Sequence, residues 1–212
     1  MSTHNFAKDF DSLAGETVVD KTRVALEEHN FTSEVVASGA EAFARIKELV
    51  PTGVTVMNGA SKTLEQIGYI DYIKDGSHPW VNPKDAILAE KDPEKQALLR
   101  KQSVVSDWYL GSAHAITETG EIVVASNTGS QLPHLAYTSQ NILLLVSTKK
   151  IVPTLEVAFQ RIDEYIVPRE EVNMQEKYGV HTLHSKTFVW HREKQGSTRT
   201  IHIIFINEKL GF

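Results

Sequence analysis

Three short polar stretches of the sequence contain residue types that could hold a small anion. The first is NGASKT, which follows a short β-branched strand and precedes a helix. Unpaired backbone N–H groups at a helix start attract anions, and glycine lets a ligand approach the backbone closely. The sequence supports equally well a structural role, in which Ser61 only caps the helix. The candidate ligand-binding residues of this stretch are Asn58, Gly59, Ser61, Lys62 and Thr63.

The second stretch, ITETGEIVVASNTGSQLPH, spans residues 116–134 and places a carboxylate beside a glycine. A buried Glu118 could act as a general base or a nucleophile. The residue pattern alone favours a simpler interpretation, a turn in which Gly120 supplies a positive φ and the glutamates stay solvated. His134 either lines a pocket or ends a loop. Glu118 is the catalytic candidate, and the ligand-binding candidates are Thr119, Gly120, Asn127, Thr128 and His134.

The third stretch, GSTRT, spans residues 196–200 and combines three hydroxyl groups with one arginine ahead of an apolar strand. Arginine can hold a carboxylate or a phosphate through two parallel hydrogen bonds. Composition slightly favours the alternative, a polar hairpin turn with a solvated arginine. The ligand-binding candidates here are Ser197, Thr198, Arg199 and Thr200.

The histidines give little support for a metal site. His181 and His184 lie three residues apart, a spacing at which neutral imidazoles can bind zinc, but no acidic residue occupies a fitting position. The sequence has no cysteine, which excludes disulfides, thiolate metal sites and iron–sulfur ligation by this chain. We therefore predict no metal and no cofactor.

The elements that must position these stretches alternate between strands and helices. This order predicts an α/β fold with a Rossmann-like, mostly parallel sheet sandwiched by helices. The predicted strand from Asn141 to Ser147 contains the unbroken run ILLLV, which is typical of a central strand buried on both faces. With 212 residues, 41% of them hydrophobic, we expect a tail of residues 1–14 and a single domain of residues 15–212. Other predicted elements are one helix from Lys62 to Tyr72, a loop from Asp75 to Asp85, a strand from Val104 to Leu110, and helices from Pro153 to Tyr165 and from Pro168 to Tyr178.

Charge and hydropathy narrow the range of partners. The formal net charge is -5 with acids and bases mixed along the chain, which does not indicate a surface for nucleic acid or anionic lipid. No apolar run approaches the roughly 18 residues of a membrane span, and no secretion signal is recognisable. We expect a cytoplasmic location. The region around Trp80 is either a homodimer contact or a lid.

Read together, four segments resemble one family. VMNGASKTLEQIG, SDWYLGSAHAITETGEIVVASNTGSQLPH, ILLLVSTKKIVPTLEVAFQRI and GSTRT occur in the order found in the LUD (lactate-utilisation) domain family, of the type called lactate utilisation protein C. The resemblance adds Asp107 to the ligand-binding candidates and matches a Pro133–His134 pair and a segment from Lys150 to Val152. It departs from the family pattern at Ser197, where proline is usual, at His202, where an acid is usual, and at the closing FINEKLGF, so we expect the last part of the pocket to differ.

The resemblance implies a fold like that of phosphosugar isomerases and CoA transferases, with the site at the carboxyl ends of the strands. Glu118 in its Glu-Thr-Gly turn is similar to the nucleophilic glutamate of CoA transferases, a comparison at the level of the fold. It also implies that the three polar stretches face one pocket, with Arg199 as the ionic clamp.

The functional hypothesis is accordingly a subunit of a multi-protein system that oxidises lactate to pyruvate. It would bind a small carboxylate or phosphorylated ligand and depend on an iron–sulfur partner subunit for electron transfer. Two alternatives stay open. One is a stand-alone enzyme of the isomerase or acyl/CoA-transfer type that uses Glu118, and the other is a non-catalytic assembly subunit.

Overall fold

A computed structural model of the chain describes residues 10–212, and two packed β-sheets form its centre. The first sheet has five strands in the order β1-β9-β6-β3-β2, all parallel, and the second has four strands in the order β7-β4-β5-β8. The predicted α/β class with a mostly parallel central sheet is confirmed. In chain order the strands are β1 (Thr32–Val36), β2 (Val56–Asn58), β3 (Trp108–Gly111), β4 (Ala115–Thr117), β5 (Ile122–Ser126), β6 (Asn141–Ser147), β7 (Ile151–Val152), β8 (Lys186–Trp190) and β9 (Thr200–Ile206).

Helices cover the outer faces of the two sheets. Small or polar caps start several of them: Ser38, Asn82 and Asp92 each accept a hydrogen bond from a backbone N–H of the first turn. None of the helices within residues 10–212 is both long enough and apolar enough to cross a membrane. The helices are α1 (Glu16–Glu28), α2 (Gly39–Leu49), α3 (Lys62–Gln66), α4 (Tyr69–Asp75), α5 (Pro83–Ala89), α6 (Pro93–Gln102), α7 (Leu155–Arg161) and α8 (Val167–Tyr178).

Strand β6 is apolar from Ile142 to Val146 because both of its faces are buried. Its side chains alternate between the two faces of the first sheet, as strand geometry requires. Leu143 and Leu145 pack into a core shared with α2, α3 and α4. Ile142 and Leu144 pack into a second core shared with strands β4 and β5. Because both faces are covered, every residue of this run is best apolar, and we expect each large side chain here to contribute roughly 2–5 kcal/mol against truncation to alanine.

The second sheet lies between the first sheet and α7. Along β5, Ile122 and Val124 face the first sheet, and Val123 and Ala125 face α7. β4 and β5 form an antiparallel hairpin, whereas β4 and β7 are parallel. The molecule therefore stacks helices, a parallel sheet, a mixed sheet and helices, and the mixed sheet was not predicted from the sequence.

Several predicted elements differ from those observed. The helix predicted from Lys62 to Tyr72 is two helices, because Gly68 between them has a φ of 84°. The loop predicted from Asp75 to Asp85 already contains the start of α5. The strand predicted to begin at Val104 starts at Trp108, after a short 3-10 turn. The two helices predicted after Pro153 are α7 and α8, joined without a break by a π-helical turn over Ile162–Ile166.

The expected N-terminal tail of residues 1–14 falls largely outside the described residues. Its last part is described, and it packs on the domain. Phe10 lies against Tyr165 with ring centroids 5.9 Å apart, and Asp11 pairs with Lys149 at 2.8 Å.

Two connections carry the chain from the first sheet to the second. Residues 112–114 link β3 to β4, and a 3-10 turn over Thr148–Lys150 links β6 to β7. β3 and β6 are neighbours in the first sheet, so both connections leave its carboxyl edge side by side. This edge is where ligands bind in open α/β sheets.

Candidate functional site

A cavity of about 310 Å³ opens at the carboxyl edge of the first sheet. Segments that follow four of its strands contribute to the wall: residues 60–63 after β2, residues 112–114 after β3, Lys150 after β6, and residues 211–212 after β9. The second sheet adds residues that follow β5, and α8 adds side chains on the outer side. The cavity wall therefore combines residues at the ends of strands with side chains of α3 and α8.

Lys150 is a buried residue of this cavity wall. It is only 4% exposed, and its Nζ donates hydrogen bonds to Thr63 Oγ1 and Ser112 Oγ, both at 3.1 Å. Ser112 in turn donates from Oγ to the carbonyl oxygen of Leu145 at 2.6 Å, which fixes the hydroxyl that receives the lysine. None of the described carboxylates forms an ion pair with Lys150. Burying an ammonium group without an anionic partner is costly, which marks the position as unusual.

The electrostatic surroundings of Lys150 are positive. Arg161 is fully buried, and its Nε and Nη2 have no hydrogen-bond partner among the described residues. Burial, together with the charges of Arg161 and Lys149, holds the pKa of Lys150 well below its usual value. Burial also lowers the pKa of Arg161 to about 10. Lys149 has its own partner in Asp11, at 2.8 Å, and the same carboxylate offsets part of the charge of Arg161.

His114 lies between the buried arginine and the cavity. Its carbonyl oxygen accepts a hydrogen bond from Arg161 Nη1 at 2.7 Å, and its Nδ1 accepts one from the backbone N–H of Ala125 at 3.2 Å. Burial and the nearby charges of Lys150 and Arg161 lower the pKa of His114 to about 3. The imidazole is therefore neutral near pH 7. With Nδ1 as an acceptor, its proton is on Nε2.

The loop predicted as an anion site does reach the cavity. Ser61, Lys62 and Thr63 all line it. Ser61 is also the N-cap of α3, because its Oγ accepts from the N–H of Leu64 at 3.3 Å. The two interpretations of this residue are thus compatible. Because α3 is only five residues long, its dipole adds little, and the hydroxyl of Thr63 on Lys150 is the stronger feature.

Paired charges surround the mouth of the cavity. Glu65 accepts from Lys177 at 2.7 Å and from Lys62 at 3.2 Å. Glu170 accepts from Asn173 Nδ2 at 3.1 Å, and burial raises the pKa of this glutamate. The charges of these side chains offset one another at the entrance, whereas Lys150 on the cavity wall has no carboxylate partner among the described residues.

Asn127 and Thr128, both predicted, also line the cavity. They belong to the loop after β5, which is held by side-chain hydrogen bonds. Ser126 Oγ donates to Gln131 Oε1 at 3.0 Å and accepts from the backbone N–H of Gly129 at 2.8 Å. Five of the predicted residues are thus brought together, namely Ser61, Lys62, Thr63, Asn127 and Thr128.

The expectation that the three polar stretches share one pocket is wrong. Glu118 does not line the cavity. It lies in the β4–β5 turn, where its Oε2 accepts from Lys21 of α1 at 2.9 Å. Thr119 donates to Glu121 at 2.6 Å in the same turn. Gly120 has a φ of 95°, and a Cβ at this position would approach the backbone of Ala25 to 2.9 Å, so packing on α1 explains the glycine.

Arg199 lies at the opposite edge of the first sheet, because it precedes the start of β9. Its guanidinium donates to the carbonyl oxygens of His134 and Leu135, both at 2.9 Å, and to that of Ser139 at 3.1 Å. It also pairs with Glu193 at 3.3 Å. These partners hold the π-helical turn over His134–Thr138 and leave no free fork for a ligand. Ser197, Thr198 and Thr200 flank the arginine and also lie outside the cavity wall.

The remaining predicted residues have structural partners. Asp107, which precedes β3, accepts from the N–H and the hydroxyl of Thr55 at 3.0 and 2.6 Å. His134 is buried, stacks on Tyr109 with centroids 4.6 Å apart, and has a pKa lowered to about 4 by burial. A Cβ on Gly59 would lie 2.5 Å from the Tyr109 hydroxyl, so Gly59 makes room for that ring. Asn58 donates from Nδ2 to the carbonyl of Gly59 at 2.9 Å.

The histidines considered for a metal do not converge either. His184 lines the cavity, and its Nδ1 lies 2.8 Å from Asp163 Oδ1. His181 lies 2.5 Å from Glu171 Oε1, and it does not line the cavity. Within residues 10–212 no group of three or more histidines and acids could hold a metal ion.

The sequence interpretation missed Lys150, Ser112, His114 and Arg161 as site residues. Ser112 and His114 stood next to a candidate stretch but carried no assigned role. Lys150 belongs to the pair Lys149–Lys150 that follows a buried strand. Two adjacent lysines at such a position are typical of a solvated strand end. The one available signal was the family segment from Lys150 to Val152, where a lysine follows a fully apolar strand.

Comparison with known proteins gives two positive findings. The family model for the LUD domain matches residues 19–209. The crystal structure of a DUF162 family protein from Deinococcus radiodurans is similar in fold, with a TM-score of 0.54 and 10% sequence identity over 92% of this chain and 100% of that chain. No curated protein matches the sequence. The LUD domain is associated with lactate utilisation in general. Because its family model covers most of the sequence, the chain belongs to the LUD domain family.

Proposed function

We propose that the protein binds a small anion, a carboxylate or a phosphorylated compound, in the cavity beside Lys150, and that it serves lactate utilisation as one subunit of a multi-protein system. The observation that carries the proposal is the burial of Lys150 with no carboxylate partner among the described residues. A bound anion would balance the buried charge of Arg161 and would favour the protonated form of Lys150.

The remaining wall suits the same class of ligand. Ser61, Thr63, Ser112 and Thr128 present hydroxyl groups, and Asn127 presents an amide. A volume of about 310 Å³ lies at the lower end of the range for small-molecule sites. A compound of a few carbon atoms, such as lactate or pyruvate, can be accommodated in this volume.

The role in lactate oxidation is the finer part of the proposal and rests on the family. Oxidation of lactate to pyruvate releases two electrons, and the sequence has no cysteine to hold an iron–sulfur cluster. If such a cluster receives the electrons, it belongs to a partner subunit. In this scheme the protein binds and orients the carboxylate, and the partner accepts the electrons.

Isothermal titration calorimetry tests the binding step. Lactate, pyruvate and inorganic phosphate would be titrated into the unaltered protein, Lys150→Met and Lys21→Met. Lys21 is a suitable control because it pairs with Glu118 outside the cavity. We expect at least one anion to bind, with affinity at least about tenfold weaker in Lys150→Met and unchanged in Lys21→Met. Binding of none of the three anions, or equal affinity in Lys150→Met, would contradict the proposal.

A genetic experiment tests the wider role. Deletion of the coding gene in its host should abolish growth on lactate as carbon source. The unaltered gene should restore growth and the Lys150→Met gene should not. Normal growth of the deletion strain on lactate would refute the assignment to lactate oxidation while leaving anion binding open to calorimetry.

The alternative enzyme that would use Glu118 receives no support from the geometry. Glu118 is tied to Lys21 and does not line the cavity. An acyl-transfer or isomerase mechanism would need this carboxylate close to the ligand.

A further inference from the structure

The hydrogen bonds of Lys150 leave one direction open at its nitrogen. Nζ is bonded to Cε and donates to Thr63 Oγ1 and Ser112 Oγ, both at 3.1 Å. A tetrahedral nitrogen has four positions, so one remains. If the amine is unprotonated, its two hydrogens form these two hydrogen bonds, and its lone pair occupies the remaining position. A lysine held in this way presents its reactive electron pair without rotating.

The surroundings of the nitrogen favour the unprotonated form. Lys150 is buried, Arg161 and Lys149 lie near enough to act on it electrostatically, and burial is the largest cause of its lowered pKa. The two groups that accept hydrogen bonds from Nζ, the side chains of Thr63 and Ser112, are neutral hydroxyls. Desolvation beside another cation is the arrangement that activates lysines for attack on carbonyl groups.

We propose that Lys150 is a nucleophile that forms an imine with a small ligand carrying both a carbonyl and an anionic group. Simple 2-oxo acids have this chemistry, and so do phosphorylated aldehydes and ketones. The inference rests on the proposed function, since the same cavity must first bind the anion. It adds a covalent step to that binding.

Imine formation needs neither an oxidant nor a reductant. The Nζ lone pair forms a bond to the carbonyl carbon, and the carbonyl oxygen takes up the proton that the nitrogen loses. The resulting carbinolamine expels its hydroxyl group together with the last nitrogen proton, as water. Protonation of the imine from solvent gives an iminium ion, whose positive charge lies beside the anionic group of the ligand.

Ser112 and Thr63 act as positioning residues in this step. Ser112 is itself held by its hydrogen bond to the Leu145 carbonyl at 2.6 Å, so its oxygen stays directed towards Nζ. Loss of either hydroxyl should let the lysine side chain rotate. We expect Ser112→Ala to lower the rate of imine formation several-fold, by a larger factor than it weakens the affinity for lactate, which has no ketone or aldehyde group.

Reductive trapping tests the proposal. The unaltered protein would be incubated with cyanoborohydride and one of four compounds: pyruvate, dihydroxyacetone phosphate, lactate, which lacks the carbonyl, or acetone, which lacks the anion. Intact-mass spectrometry would detect a reduced adduct, and peptide mapping would locate it. We expect one adduct per chain, at Lys150, with pyruvate or with dihydroxyacetone phosphate and with neither control. An adduct with pyruvate would identify the anionic group as a carboxylate, and an adduct with dihydroxyacetone phosphate would identify it as a phosphate.

Two variants complete the test. Lys150→Arg places a guanidinium, which cannot form an imine, at the same position, so the adduct should disappear. Lys21→Arg should retain it. Because mapping uses the unaltered protein, the result does not depend on the variants folding. An adduct spread over surface lysines, or no adduct with either carbonyl compound, would overturn the proposal. Calorimetry separates the two claims, because anion binding without an adduct refutes only the nucleophile, whereas absence of any anion binding refutes the proposed function as well.

Discussion

Arg161 Nη1 lies 2.7 Å from the carbonyl oxygen of His114, so a fully buried guanidinium holds the backbone of a residue that lines the cavity. The same guanidinium lies over Tyr165, with its centre 5.0 Å from the ring centroid, and two of its nitrogens have no hydrogen-bond partner within residues 10–212. A charge buried at this cost is explained if it strengthens the positive field behind the ligand.

Replacement of Arg161 by methionine should therefore weaken anion binding more than it weakens the fold. Exchange of a buried charge for an apolar side chain of similar length is often close to neutral for stability. We expect a fall in anion affinity of about tenfold, or roughly 1.4 kcal/mol, measured by calorimetry alongside urea unfolding. Arg45→Met, at a surface arginine paired with Glu34, is the control. Equal affinities in the two variants would show that Arg161 is only structural.

Arg199→Ala should have the opposite effect, because it should weaken the fold and leave anion binding unchanged. The side chain is 11% exposed and donates to three backbone carbonyls at 3.1 Å or less while pairing with Glu193. Loss of these charged hydrogen bonds leaves buried carbonyl oxygens unsatisfied, so we expect the free energy of unfolding to fall by about 3 kcal/mol. The folded variant should bind anions with unchanged affinity. A stable variant that had lost anion binding would restore Arg199 to the ligand site.

Gly211→Ala should disturb the site through Lys150. A Cβ at this position would lie 2.8 Å from Lys150 Nζ and still closer to Thr63 Oγ1, so the lysine or the backbone must shift. Gly179→Ala is a matched control, because Gly179 has nearly the same φ, 65° against 66°, and no atom near its Cβ position. Both variants carry the conformational cost of a left-handed residue, of the order of 1–2 kcal/mol. Only Gly211→Ala should also lower anion affinity, by about tenfold in calorimetry, and an equal effect of the two changes would contradict the contact.

His114 should make stability depend on pH. Its pKa falls from 6.5 to about 3 on folding, so between these values the unfolded chain binds the proton and the folded chain does not. Stability is therefore complete above pH 6.5 and falls as pH decreases towards 3, with a slope of about 1.4 kcal/mol per pH unit from this group. Urea unfolding of the unaltered protein and His114→Gln at several pH values would measure it.

We expect the difference in stability between those two proteins to shift in favour of His114→Gln as pH decreases. His134→Gln provides a comparison, because the pKa of His134 is lowered only to about 4 and its contribution should level off earlier. If the unaltered protein and His114→Gln gave parallel curves from pH 6.5 to 3, the imidazole would not be buried in the neutral form.

Local patterns of sequence predicted the first sheet well and the second sheet poorly. Strand β6 is apolar on both faces from Ile142 to Val146, which only a central strand requires. β4 has three residues and β7 has two, and such short segments carry too little periodicity to be recognised. Both depend on contacts between residues distant in sequence, such as Ile116 opposite Ile151.

The site was predicted in part for a similar reason. The cap at Ser61 and the small residues after β2 mark a strand-to-helix turn, and this signal is local. The role of Lys150 depends on Arg161 in α7 and Ser112 after β3, which no local pattern connects. Conversely, Glu118 and Arg199 had suitable chemistry, but distant segments engage both of them: Glu118 pairs with Lys21, and Arg199 donates to carbonyl oxygens of the turn that begins at His134.

The placement of Lys150 and Ser112 has a consequence for how the protein unfolds. Each of these residues lies in one of the two connections that pass from the parallel sheet to the mixed sheet, and their side chains meet at 3.1 Å. A molecule bound between them would have contacts with both halves of the structure. Its binding energy should therefore join the two sheets into one cooperative unit, so that opening of either sheet alone becomes rarer when the cavity is filled.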